Sequence, residues 1–185
     1  MDVKEAIKQR RAYRSLVPVE IDRKLIEDLA GYAQLAPSCF NNQPWRFVFV
    51  YGEKLKDLHR ALSGGNQWAE RASMIIAVCS RKEDDCAMKD GREYYLFDTG
   101  MANAFLMLRA TELGLVAHPI AGYDQQIVKE ALNIPDGVTV ITLVNVGKRA
   151  EELNPALSER QIKDEGERPA RLGFEEFAFI NSYRG

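Results

Sequence analysis

Apolar and polar residues alternate along the chain in two rhythms, and the switches between them mark out most of its elements. Val3, Ile7, Arg10 and Arg14 recur at helical spacing, which predicts a first helix that carries through the basic run. Asp22 caps a second helix through Leu25, Ile26, Leu29 and Ala33, stopped at Pro37. Residues 46–51 read as a strand, 53–62 as a short helix ended by Gly64-Gly65, and 73–79 as a buried, β-branched strand. Segment 91–113 has helical composition, yet Tyr94, Leu96, Phe97, Met101, Phe105 and Leu108 point in nearly every direction. A helix that is apolar all round has to be covered all round, in the middle of a domain or at a subunit seam. A short strand at 115–118, a turn at 119–122, a helix from an Asp124 cap to Leu132, and a strand over 138–146 follow. Past Gly147 no period persists. Residues 148–173 read as an irregular arm, long for a plain loop, and 174–180 as one more strand. Such an arm suits a segment that reaches over a partner subunit.

Composition then narrows the class. The 185 residues fit one domain, with a core over 1–147 and an arm over 148–185. Lys+Arg number 25 against 27 Asp+Glu, a net charge of −2, so no basic excess exists to coat a nucleic acid. The longest nearly apolar stretch, 101–108, is far short of a membrane helix, and the N-terminus has no signal-peptide core. Cys39, Cys79 and Cys86 are odd in number and form no CxxC, which predicts free thiols in a reducing cytoplasm. Neither histidine has a partner at metal-ligand spacing, and no metal is expected.

Four constellations remain that could carry chemistry. Lys8, Arg10, Arg11 and Arg14 crowd seven residues without an acid among them. On a helical wheel Arg10 and Arg14 continue the Val3–Ile7 stripe, where an unpaired charge is costly and an anion is a natural partner. A solvated basic helix end is the plain account. The loop from Pro37 to Trp45 sets Ser38, Cys39, Asn41, Asn42 and Gln43 between prolines, and its carboxamides suit the edge of a heterocycle. An Asx-stabilised turn explains it equally well. Pro119, Ile120, Ala121 and Gly122 form a small-residue turn through which a ligand can reach backbone N–H groups. Arg168 and Arg171 flank Pro169 in the arm. No Rossmann, Walker or nucleophile-elbow motif is present.

In this order the pieces resemble the nitroreductase family of flavoproteins over nearly the whole chain. Arg10-Arg11-Ala12-Tyr13-Arg14 is similar to its RRSxR opening, and Pro37 through Trp45 to its PSSxNxQPW loop. Asn66-Gln67-Trp68, Asp98-Thr99-Gly100, Glu112-Leu113-Gly114, Pro119 through Asp124, Val146-Gly147 and Arg171 through Phe177 follow in register. The resemblance implies an α+β fold, a three-layer α/β/α sandwich around a mixed, mainly antiparallel sheet. It also implies a homodimer that exchanges C-terminal segments, with one FMN in each of two interface clefts.

By the same resemblance Arg10, Arg11, Ala12, Arg14 and Arg171, with Arg168 as a further candidate, would surround the FMN phosphate. Pro37, Ser38, Cys39 and Asn41 would reach the flavin from the other subunit. Gln43 and Asn66 are candidates for the ring's polar edge or the ribityl chain. Pro119, Ile120, Ala121 and Gly122 would face the flavin, the Ala121 N–H near N5. The implied activity is hydride transfer from NAD(P)H to a nitroaromatic, quinone or similar small acceptor by a ping-pong route, with no side chain as catalytic acid or base. Reductive dehalogenation, flavin cleavage or non-catalytic FMN binding are alternatives on one scaffold. Ala12 and Cys39 depart from the usual Ser, and Lys148-Arg149 from the usual Tyr-Pro. A buried, inert thiol is the plain account of Cys39; beside a flavin it would be redox-sensitive.

Overall fold

The computed structural model describes residues 1–184. Its elements are α1 (Val3–Gln9), β1 (Leu16–Val17), α2 (Arg23–Ala33), β2 (Trp45–Tyr51), α3 (Leu55–His59), β3 (Met74–Ser80), α4 (Tyr94–Glu112), β4 (Val116–Ile120), α5 (Gln125–Leu132), β5 (Thr139–Arg149), α6 (Glu159–Gly166) and α7 (Phe174–Phe177). The sheet runs β1-β5-β3-β2 with β4 also on β5, and all four pairings are antiparallel.

Every residue of β3 is buried because helices cover both faces of the sheet. Ile75, Ala77 and Cys79 face Leu58, Trp68 and Val128, on the side of α3 and α5. Met74, Ile76 and Val78 face Leu29, Ala33, Leu106 and Ala110, on the side of α2 and α4. The result is the expected α/β/α sandwich, and each large side chain it buries contributes about 1.5–3 kcal/mol. Arg109 of α4 locks the second layer, its Nε and Nη2 donating to the two carboxylate oxygens of Asp28 on α2 at 2.7 and 2.9 Å.

The helix boundaries at 23–33 and 125–132 follow the caps read from sequence: Asp22 accepts the Leu25 N–H, and Asp124 those of Gln126 and Ile127. Other expectations are corrected. The first helix stops at Gln9, so Arg10–Arg14 is not helical, and its apolar stripe points outward, with Val3 71% and Ile7 55% exposed. Pro119 and Ile120 belong to β4, not to a turn, because they pair with Val144 and Leu143 of β5. The arm contains α6, which begins in a capping box between Ser158 and Gln161. The expected terminal strand at 174–180 is instead the short helix α7, because no neighbouring strand lies there to accept its hydrogen bonds. Of α4, Asp98, Ala102, Leu106 and Ala110 are buried while Phe97 and Phe105 stay exposed, so this chain covers only part of the apolar helix. No helix among the described residues is long and apolar enough to cross a membrane.

The arm returns to the core through one buried carboxylate. Glu165 accepts the Arg14 N–H at 2.6 Å and the Ser15 N–H at 3.2 Å. Beside it, Asn154 donates its N–H to Ser15 Oγ at 3.0 Å and its Nδ2 to the Trp68 carbonyl. His118 of β4 sits behind this junction. Its Nδ1 lies 3.0 Å from the Tyr13 carbonyl, an acceptor, so the neutral ring carries its proton on Nδ1. Its other face packs on Trp68 at 4.5 Å.

Burial, with a contribution from nearby Arg14 and Arg10, pushes the His118 pKa down to about 4. An unfolded histidine titrates near 6.5, so the unfolded chain binds the proton first as pH falls. The stabilisation is therefore complete above pH ~6.5 and decays toward pH ~4, by up to about 3 kcal/mol. Urea unfolding from pH 7 to 4 should show this slope in the native protein and its loss in His118→Gln.

Candidate functional site

Two extended segments meet at the surface to form a basic basin of about 120 Å³, lined by Arg10, Arg11, Ala12, Arg14, Asp164, Arg168, Pro169 and Arg171. Residues 10–14 enter from the end of α1 and residues 168–171 from the end of α6. Arg11 is spent on structure: its Nη2 donates to the Asp164 carbonyl at 2.7 Å, and its guanidinium lies over Tyr13 at 4.6 Å. Arg168 donates to the Lys8 and Arg10 carbonyls at 2.6 and 3.0 Å, meeting the carbonyl end of α1. Arg14 reaches Asp164 at 3.7 Å. Arg10, Arg168 and Arg171 have no carboxylate partner among the described residues. Burial, then the charges of Arg168 and Arg171, push the Arg10 pKa down.

Tyr13 connects the basin, through His118, to the strand whose end carries Ala121 and Gly122. Ala121 is exposed, and its N–H donates to no other group among the described residues. Asn66 braces this corner. Its Nδ2 donates to the Gly122 carbonyl at 2.9 Å, and its Oδ1 accepts the Trp68 indole N–H at 3.3 Å. A Cβ on Gly122 would lie 2.4 Å from Asn66 Nδ2, so the glycine is required by the brace. Asn66 thus supports the corner at which Ala121 is presented.

The Pro37–Trp45 loop lies apart and lines no part of the basin. Phe40, Asn41 and Gln43 all have positive φ, between 48° and 57°, each costing about 1–3 kcal/mol in a non-glycine residue. Local bonds hold the shape: Ser38 Oγ accepts the Gln43 N–H at 3.0 Å, and Gln43 Nε2 donates to the Asn41 carbonyl at 3.2 Å. The buried Asp98 of α4 accepts the Cys39 N–H at 2.7 Å. Phe40 is thrown outward, 93% exposed. Cys39 is not a free, inert thiol as expected but is bonded to Cys86, which also corrects the reading that no disulfide forms. The partner lies 47 residues away in an irregular segment, so spacing carried no signal of it.

The structure therefore assembles Arg10, Arg11, Ala12, Arg14, Arg168 and Arg171 in one place, and Pro119 to Gly122 with Asn66 in another. Pro37, Ser38, Cys39, Asn41 and Gln43 form a third. Sequence reasoning missed Glu165, which offers no local pattern. It also left Asp98 without a role, although a lone acid among the apolar residues of α4 is itself a signal of a buried partner.

Comparison with known proteins agrees with this fold. The model of the nitroreductase family matches residues 7–67 and 56–148. A Thermus thermophilus protein named NADH dehydrogenase is 24% identical over 192 residues, covering 84% of this chain and 91% of the relative. A crystal structure of a nitroreductase family protein from Clostridium novyi NT has a TM-score of 0.75 at 31% identity, covering 82% of this chain and 87% of that one. Another, of an oxidoreductase containing FMN, has a TM-score of 0.86 at 28% identity, covering 100% and 94%.

The brace makes a coupled pair. Gly122→Ala should destabilise by about 1–3 kcal/mol, in the range of overpacking. With Asn66→Ala in the same chain the added cost of the methyl should largely vanish. A double-mutant cycle by denaturant unfolding measures the coupling, and strict additivity would disprove the contact.

Proposed function

The chain belongs to the nitroreductase family, and from that premise we propose that it is an FMN-dependent NAD(P)H oxidoreductase whose FMN phosphate sits on Arg10, Arg168 and Arg171. The observation that carries the reading is the gathering of the Arg10, Arg168 and Arg171 guanidiniums around a basin whose one carboxylate, Asp164, pairs with Arg14 instead. A phosphate monoester brings about −1.5 to −2 charges and forked acceptors, which two or three guanidiniums match. Arg14 and Ala12 complete the wall, Ala12 giving room but no hydroxyl. FMN held by these residues would supply hydride transfer between NAD(P)H and a nitroaromatic, quinone or similar acceptor, by a ping-pong route.

The chain's own contribution is position. The unpaired Ala121 N–H is a donor suited to a ring nitrogen, and the Asn66–Gly122 brace fixes its direction. No side chain at this corner is suited to act as acid or base, and none is assigned. Ser38, Asn41 and the disulfide-bonded Cys39 belong to a loop remote from the basin, in keeping with a cleft completed by the partner subunit.

The homodimer is part of the proposal. Val3, Ile7, Phe97 and Phe105 leave an apolar face on α1 and α4, while Leu172, Phe174, Phe177 and Ile180 leave another on the arm. An arm over 148–185 exchanged between two cores of 1–147 would cover both. The same reading places the protein in the cytoplasm, acting on a small-molecule acceptor without a nucleic-acid or membrane partner.

Two experiments test it. Arg10→Gln combined with Arg171→Gln should give colourless protein, because each charge-assisted contact is worth about 1.5–3 kcal/mol, or on the order of a hundred-fold or more in affinity for the pair. A double variant that keeps full flavin occupancy overturns the phosphate assignment. In anaerobic titration, NADH or NADPH should bleach the yellow protein and a quinone or nitro compound should restore the colour. A flavin that stays oxidised with both nucleotides would leave a binding protein, not a reductase.

A further inference from the structure

The Cys39–Cys86 disulfide shapes the loop that the reading above assigns to a partner's cleft, but its own redox chemistry has no part in that reading. It ties two irregular segments, the 3-10 turn Cys39–Asn41 and the stretch between β3 and α4, and joins no two strands or helices of the core. Both cysteines are only half-buried. Cys86 lines a cavity of about 100 Å³ with Lys82, Met88, Arg92 and Tyr94, enough for a small thiol.

On the inner side lies a pair of carboxyls. An oxygen of Asp85 and both sulfurs lie within 4.8 Å of one another. Asp85 in turn faces Asp98, which is wholly buried. Asp98 Oδ2 accepts the Cys39 N–H, and Asn42 Nδ2 donates to Asp85 Oδ1 at 3.3 Å. The remaining oxygens, Asp98 Oδ1 and Asp85 Oδ2, are buried and have no donor. One proton, held on Asp98 and directed at the facing Asp85 oxygen, satisfies both. Burial and the Asp85 charge indeed raise the Asp98 pKa, against the pull of the Cys39 N–H. The other charges nearby are paired outward: Arg46 with Asp84, Lys82 with Glu93, and Arg92 with Asp90.

We propose that Cys39–Cys86 is a reversible redox couple for small dithiols, with the Asp85–Asp98 pair as its proton store. A substrate thiolate enters beside Lys82 and attacks Cys86 Sγ, forming a mixed disulfide. The Cys39–Cys86 bond breaks, and Cys39 leaves with the electron pair and takes the carboxyl pair's proton. The second substrate thiol then attacks the substrate's own sulfur in the mixed disulfide, and Cys86 leaves and gains a proton. Two electrons pass from the dithiol, which becomes a cyclic disulfide, to the two cysteines; the second thiol's proton goes to Cys86, and the carboxyl pair regains from solvent, where the first thiol left its proton, the one it gave Cys39. The protein's third cysteine, Cys79, is excluded from this exchange, because it is buried with its thiol pushed up to about 11.

This inference does not depend on FMN, and its test reads thiols. The purified protein is equilibrated with mixtures of reduced and oxidised dithiothreitol, quenched with iodoacetamide and weighed intact. Cys39 and Cys86 should gain label together in mixtures where oxidised dithiothreitol still predominates, and oxidised glutathione should close the bond again, while circular dichroism stays native. Opening only in a large excess of reduced dithiothreitol, or only with unfolding, or failure of oxidised glutathione to close the bond, would make it a structural staple or no bond at all. Asp98→Asn and Asp85→Asn keep an acceptor oxygen but store no proton. The rate of reduction against pH should be bell-shaped in the native protein, the product of thiolate outside and proton inside, and should rise monotonically in both variants. A native profile that rises like theirs would overturn the role of the carboxyl pair.

Discussion

Like charges do not gather unless something of opposite sign holds their backbones, and in this protein that is Glu165. Its two oxygens take consecutive N–H groups, of Arg14 and Ser15, in a buried place where a lost partner would leave both donors unsatisfied. The contact joins residues 150 positions apart. It fixes α6 against the start of β1 and so delivers Arg168 and Arg171 to Arg10. The arginine basin, the direction of the arm and the access to Ala121 all follow from that junction.

The double-sided sheet supplies the rigidity this arrangement draws on. β4 is clamped along β5 and carries His118 inward, where a neutral ring bonds to Tyr13 behind the basin. Its outer end presents Ala121 and Gly122, held by Asn66 from the turn before β3. Small residues at this corner are a consequence of close packing: the carboxamide occupies the space a Gly122 side chain would take. The protein therefore offers a ligand backbone groups and guanidiniums, both fixed in advance, which is what a cofactor carrying its own reactivity requires.

Strain is concentrated elsewhere, in the Phe40–Gln43 loop. Three left-handed residues there are over-determined by Asp98, by Ser38 and by the bond to Cys86. An acid inside α4 appears wasteful until the loop is seen to hang from it. The same acid faces Asp85, so one residue links loop shape to the chemistry of the disulfide beside it.

What could be read from the chain alone was whatever a few neighbouring residues decide. Asp22 and Asp124 cap helices with atoms two or three positions away, the β-branched run of β3 declares a strand buried on both faces, and eight motifs in order pointed to the family. Local rules failed where a partner distant in sequence decides. Arg10 to Arg14 continue the helical spacing of α1 but leave it for Glu165. Residues 174–180 have the side chains of a strand but no strand beside them. Cys39 has no cysteine at a telling spacing, yet meets Cys86 because the loop and the segment before α4 converge on Asp98. Periodicity records which face of an element is buried, and capping records where it ends. Only the folded chain determines which two surfaces meet, because that depends on contacts whose loop-closure cost no local pattern encodes.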